Sequence, residues 1–528
     1  MRVGAALPAG GRGHASFPRS GRRAGECSLY LALILLLFTL SCSQKPDADT
    51  LVMIIESPPA NLDLRVGTDA QSERIGELIF DSLLRRDEHY RLQPHLAERW
   101  EVSDPLTYVF HLRRGVRFHD GRPLTARDVK WTFDSLREGV VRSAKASTFR
   151  FVERIDAPDE WTVIFRLKEP YATLPWNLSG GAIGIVPAGS KEEMKERPIG
   201  SGPFRFVRMA QDREVVIERN EEYWGERPKL RRVRFAVVPD TTTRVLELRK
   251  GSADLAINAL TADMVEDIRR EGKLVVEQAP GSIYSYLALN LEDPILKDAR
   301  VRRALAYAID RRPVLHYLWR DQARPAASLL PPEHWAYESA VAAYTYDPER
   351  ARKLLDDAGY PARSGVRFRL TMKTSTEETT RLLAAVLQQQ LREVGIALDI
   401  RSYEFATFYA DVVRGAFQLY SLRWIGGNED PDIFEHVFHS SSFPPKRANR
   451  GHYRNPRVDE LIDAARREAD PEKRRALYAE VQRIVAEELP YIHLWYLDNV
   501  VVHSRRVRGI HVSASGNYDF LRTAELAP

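Results

Sequence analysis

One stretch constrains this chain more than any other. Between Leu96 and Phe133, in LAERWEVSDPLTYVFHLRRGVRFHDGRPLTARDVKWTF, apolar residues recur first at every second position and then at every third or fourth. A short apolar edge at Trp100 to Val102 and a turn at Ser103-Asp104-Pro105 lead into Thr107 to Leu112. There Tyr108, Phe110 and Leu112 share one side, the pattern of a half-buried strand. A second turn falls at His119-Asp120-Gly121, and Thr125 then stands as N-cap of a helix with Asp128 in its first turn and Val129, Phe133 and Leu136 as its buried stripe. The unit is a strand, a turn and a helix packed together. It carries no catalytic pattern: His111, His119 and Asp120 match no metal-ligand spacing.

The rest of the chain supplies what this unit packs against. Its 528 residues are 44% hydrophobic and 29% charged, enough for two or more globular domains with an ordinary polar surface. The formal net charge of +5 is concentrated at the start, because residues 1 to 41 hold five arginines and one glutamate. Nucleic acid is therefore not an expected partner. Those arginines precede an apolar run from Leu29 to Leu40, too short to span a bilayer comfortably and fitting the core of a secretory signal. Ser41-Cys42 after it resembles a bacterial lipobox, whose cysteine is lipidated and becomes the new N-terminus, although Thr39 stands where leucine is usual. Cys27 and Cys42 are the only cysteines, so the body of the chain has no disulfide and no thiolate chemistry.

Beyond the leader, Leu51 to Ile55 is an unbroken apolar run of the kind buried strands show, followed by a loop at Asn61-Leu62-Asp63 and a helix expected over Ser72 to Leu84. Thr162 to Leu167 alternates as a strand. Ser201, in Pro198-Ile199-Gly200-Ser201-Gly202-Pro203-Phe204, lacks the glycine spacing of a nucleophile elbow and reads as a rigid crossover. Thr241 to Lys250 is a helix closed by Gly251, and Tyr284 to Asn290 is an apolar strand expected to cross between lobes. Further helices start at Asp298, Asp347, Leu382 and Asp470, and strands at Ile492 to Tyr496 and Val500 to Val502 end the pattern. No P-loop, dinucleotide glycine fingerprint, HExxH or internal repeat occurs. Strands and helices alternate without the period of a barrel, which predicts an open α/β fold in two lobes with a cleft between them.

The opening stretch resembles the signature segment of the family 5 extracellular solute-binding proteins, the dipeptide, oligopeptide and nickel receptors of bacterial ABC importers. Leu96-Ala97-Glu98, Trp100 to Ser103, Tyr108, Phe110 to Arg113, Gly115-Val116, Phe118 to Gly121, Leu124 to Ala126 and Asp128-Val129 carry the likeness. It implies a two-lobed periplasmic binding protein-like fold of type II with an additional family-specific domain. The expected organisation is a signal peptide over 1–41, a tether over 42–50, lobe I from 51–73, 198–286 and 500–528, a peripheral domain over 74–197 and lobe III over 287–499. The implied function is a non-enzymatic, monomeric receptor that captures a peptide-like solute by hinge closure, passes it to a membrane permease, and is held to the membrane by lipid on Cys42. No cofactor or metal is expected.

The likeness breaks down at Trp424-Ile425-Gly426-Gly427-Asn428-Glu429-Asp430. Peptide-binding relatives carry, three residues after this tryptophan, an aspartate that pairs with the peptide α-amine; here that residue is Gly427. Asn428, Glu429 and Asp430 are candidates to replace it, with Trp424, Tyr403, Tyr284 and Ser282 as candidate cleft residues. Two alternatives stay open: a non-peptide cargo such as a nickel chelate, haem, sugar or opine, and a secreted hydrolase built on His436 and His439 near Asp432.

Overall fold

Leu51 to Ile55 reads as unbroken because both faces of that strand are covered. In the computed structural model, which describes residues 48–362, 365–426 and 429–527, β1 (Thr50–Ile55) sends Leu51, Met53 and Ile55 into one core and Ile54 into another on the opposite side. A strand with no solvent face has no reason to alternate. The leader over 1–41, Cys42, residues 43–47 of the tether, Gly427 and Asn428 lie outside the described residues.

β1 belongs to a main sheet of eleven strands. In chain order the others on its main path are β2 (Phe204–Ala210), β3 (Glu214–Arg219), β4 (Arg232–Val237), β5 (Leu255–Ile257), β6 (Val275–Leu289), β7 (Phe368–Ser375), β8 (Ile396–Tyr403), β9 (Leu419–Trp424) and β10 (Tyr491–His503). Their order across the sheet is β8-β7-β9-β6-β10-β5-β1-β4-β3-β2, with Ala323–Pro325 pairing off this path onto β10. β1 runs parallel to β4 and β5, and β7 runs parallel to β8 and β9. The two parallel groups are joined by the long antiparallel pair β6 and β10.

β6 and β10 are longer than their sequence suggests. The apolar pattern shows only Tyr284 to Asn290 of one and two pieces of the other, but the strands cover 15 and 13 residues. The hidden part is polar because its side chains bond across the pair, as where the Gln278 amide donates to Asp498 at 2.8 Å. Their register is interrupted between Ala279/Asn499 and Ile283/Leu497, at Pro280-Gly281-Ser282, and shifts once more between Ser285 and Tyr286. At Gly281 a Cβ would lie 2.2 Å from the Leu497 carbonyl oxygen, so the two strands approach there as only glycine allows.

Beyond the break β6 alternates: Tyr284, Tyr286 and Ala288 enter one core, Leu287 and Leu289 another. A separate four-stranded antiparallel sheet contains Ala97–Asp104, Thr107–Leu112, Thr162–Leu167 and Val152–Asp156, covered by the helix Ala126–Arg137 through Val129, Phe133 and Leu136. Thr125 and Asp128 cap that helix reciprocally. The helix expected over Ser72 to Leu84 spans Ala70–Ile79, capped by Asp69. It stops early because Phe80 is extended, and Leu83 and Leu84 are buried from non-helical backbone instead.

Candidate ligand-binding site

The sheet aims the carboxyl ends of both parallel groups at the same place. β5 pairs antiparallel to β10 with Ile257 opposite Val501, and β9 pairs antiparallel to β6 with Trp424 opposite Tyr284. From opposite sides, therefore, β1 and β5 on one hand and β7, β8 and β9 on the other end beside the break in β6 and β10. Carboxyl ends of parallel strands are where open α/β sheets bind ligands, because loops and free backbone groups gather there. Asn258, directly after β5, takes a left-handed φ of 53°. Its side-chain oxygen accepts from the Val500 N–H and its amide donates to Asn499, both at 2.8 Å, tying the first group to the break.

The residues singled out from sequence fall into three environments. Trp424 is half-buried, stacked on Tyr286 with 6.4 Å between centroids, with the His436 ring at 5.8 Å and the Arg450 guanidinium over its face at 5.6 Å. Tyr403 ends β8, half-buried, with the Lys373 ammonium 5.6 Å from its ring. Tyr284 is fully buried rather than on a cleft wall: alternation puts it on the Tyr286 face, where its hydroxyl bonds to His493 Nδ1. Ser282 lies in the break, buried, its N–H donating to the Ala514 carbonyl at 3.1 Å and its side chain beside the Tyr90 hydroxyl.

Glu429 and Asp430 are both already paired. Glu429 bonds to Arg86, and Asp430 is gripped by two nitrogens of Arg474 at 2.8 and 2.7 Å. Each carboxylate thus already faces a guanidinium. The Glu429 carbonyl accepts from His334 Nε2 at 3.1 Å, while His334 Nδ1 accepts from the Ala336 N–H, so Nε2 carries the proton. Burial holds His334 down to about 4, and its ring stacks on Tyr90. A cavity of about 520 Å³ opens here, lined by Glu77, Arg86, Tyr90, Glu429, Ser513 and Arg522 among others. Burial, reinforced by Asp519, pushes the Glu77 carboxyl up to about 8.

Sequence reasoning missed Arg86, Arg450 and Arg474. Arg450 lies in a loop with Arg447 and Arg454, and nothing in that run marks one arginine as buried. Partners 41 to 343 positions away leave no local signal.

Hydrolytic chemistry finds no footing. Ser201 is fully buried and donates its hydroxyl to Asp81 at 2.9 Å, while His95 also turns to Asp81, so no histidine activates the serine. His436 faces Trp424, whereas His439 lies near Asp459 and Asp463. Among the described residues no group of three histidines, cysteines or carboxylates could hold a metal ion.

Comparison with known proteins decides the class. The model of the bacterial extracellular solute-binding proteins, family 5 (middle region), matches residues 91–444. The chain belongs to this family. A probable di/tripeptide-binding protein of Pseudomonas aeruginosa is 30% identical, over 95% of this chain and 99% of that one. A heme-binding protein of Haemophilus influenzae is also 30% identical, over 81% and 83%. The periplasmic binding protein DppA of Helicobacter pylori, solved in complex with the peptide STSA, superposes with a TM-score of 0.72 at 26% identity, over 91% of this chain and 98% of that one. This family 5 protein is thus the substrate-binding component of an ABC importer, a transport receptor rather than an enzyme.

Proposed function

We propose that this receptor takes a small peptide or peptide-like solute into the space between the two parallel strand groups and closes on it by bending at the β6/β10 break. The observation that carries this reading is the convergence of Ile55, Ile257, Ser375, Tyr403 and Trp424, the ends of five strands, on Pro280-Gly281-Ser282 and its partner Asn499. Two strands crossing one break form a hinge with few torsions to change. The division expected from the sequence ended the middle piece of lobe I at 286, but a bend at this break leaves Ile283 to Tyr286 with lobe III, so lobe I comprises 51–73, 198–282 and 500–528, lobe III comprises 283–499, and 74–197 is a peripheral domain. Exposed backbone at strand ends suits an extended peptide, whose main chain pairs without regard to sequence. The di/tripeptide-binding relative and the peptide-bound DppA structure favour this cargo.

The heme-binding relative supports a second cargo class, a non-peptide solute in the same cleft. Cys42 is the lipid attachment site in this proposal, and the closed receptor docks on its permease. Incubating the protein with a mixed di- and tripeptide pool, then eluting bound material for mass spectrometry, tests the cargo. Intact peptides are expected; a pool that passes through unretained would favour the second class.

A further inference from the structure

Arg450 stands out among the arginines of this molecule. It is only 8% exposed. Its Nη2 donates to the Tyr409 hydroxyl at 2.9 Å and its Nη1 reaches the Tyr286 hydroxyl at 3.5 Å, while the guanidinium lies over the rings of Tyr409 and Trp424 at 5.2 and 5.6 Å. Among the described residues no carboxylate pairs with it. Arg447, three residues earlier, does have one, in Glu435 at 3.0 Å. Arg244 and Arg302 are equally buried without an acid, but backbone carbonyls take their N–H groups. Among the described residues the Arg450 guanidinium bonds no carbonyl and reaches two tyrosine hydroxyls with its five donors, so its charge, which it cannot shed, is left to be met by a ligand.

Its position points to what completes it. Trp424 ends β9, and Tyr409 belongs to the helix Phe405–Val413 that follows β8. Arg450 therefore sits at the carboxyl edge of the strands that bound the proposed cleft. Phe405, whose ring stacks on Tyr409, and Ile425, which follows Trp424, are 54% and 63% exposed, so the flanks of its two ring partners are apolar and open to solvent. The acids of the neighbouring loop are consumed by Arg86 and Arg474. The charge left for a ligand on this side is positive.

We propose that Arg450, framed by Tyr409, Tyr286 and Trp424, is an anion subsite that receives the carboxylate of the solute, so that this receptor recognises its cargo by an acid group rather than by an ammonium. The proposal rests on the cleft assigned above. Planar, paired N–H donors match a carboxylate, and the tyrosine hydroxyls hold the guanidinium in place for it.

The test uses the full chain and a mixed-sequence tripeptide pool in three forms: unmodified, N-acetylated and C-terminally amidated, with succinate and benzoate as peptide-free probes. Unmodified and N-acetylated pools are expected to bind within a few fold of one another, and the amidated pool about tenfold or more weakly. Arg450→Met should erase the difference between acid and amide forms, and Tyr409→Phe should weaken the acid form several fold. Ligand-free Arg450→Met should melt at or above the parent temperature, because a buried cation without an acid has been removed. A purely structural arginine would instead lower the melting temperature and leave the acid–amide ratio alone. Equal binding of acid and amide forms, or loss of binding on N-acetylation, overturns the proposal. If no peptide form binds, the peptide reading fails, and the subsite is decided by the small acids. Stabilisation of the parent by succinate or benzoate that Arg450→Met lacks upholds it, and no stabilisation of the parent overturns it.

Discussion

Arg474 holds both oxygens of Asp430 while its Nη2 also donates to the Thr173 hydroxyl at 3.0 Å, so one guanidinium ties the loop after β9 to the segment that precedes Trp176. The Arg474 side chain is 1% exposed and lies 4.7 Å from the Trp176 ring. Removing one partner of a buried pair strands the other charge, at a cost of about 3–5 kcal/mol. Arg474→Met is expected to lose stability in that range, and Arg474→Met with Asp430→Asn to recover part of it. Urea unfolding of the single and double variants measures the coupling. Additive losses would mean that the two groups do not act as a pair.

Gly281 is expected to tolerate no side chain. A Cβ at this position would meet the backbone oxygen of Leu497 at 2.2 Å, and a backbone atom cannot swing aside as a side-chain tip can. Gly281→Ala should destabilise by about 1–3 kcal/mol, the usual cost of overpacking. It should also slow ligand association if bending occurs here. Stopped-flow binding and urea midpoints report the two effects separately.

Stability should peak near pH 6.5 and fall on either side of it. Glu77 titrates near 8 when folded instead of its ordinary 4.5, chiefly through burial. Between those values the folded chain keeps a proton that the unfolded chain has released, so stability declines as pH rises through this window. His95 and His334 run the other way: burial lowers each to about 4 from 6.5, so the unfolded chain gains protons first and stability declines as pH falls from about 6.5 to 4. Melting temperatures from pH 4 to 9 should trace a dome. Glu77→Gln should remove the decline between about 6.5 and 8 and steepen the rise below it, and an unchanged slope between 6.5 and 8 would remove Glu77 from the account.

Wherever burial imposes a period, the fold was readable in advance. Leu51 to Ile55 announced a strand covered on both faces, Tyr108, Phe110 and Leu112 a strand covered on one, and Thr125 with Asp128 a capped helix. Gly251 closes its helix with a left-handed φ of 78°, as its position after Lys250 suggested. Long-range polar pairing was not readable. Gln278 and Asp498 fell outside the expected strands because each satisfies the other across 220 positions. Glu429 looked available to a ligand because Arg86, 343 positions away, cannot be inferred from spacing. Tyr284 was a candidate cleft aromatic, yet alternation along β6 turns its ring into the core.

The central claim is that a solute is captured whole between two strand groups. Its most direct test is isothermal titration of the purified receptor with peptides eluted from it, followed by mass analysis of the same sample. Saturation at one peptide per chain with the peptide recovered intact is the expected result. Absence of any retained peptide, or recovery of cleaved fragments, would contradict the account.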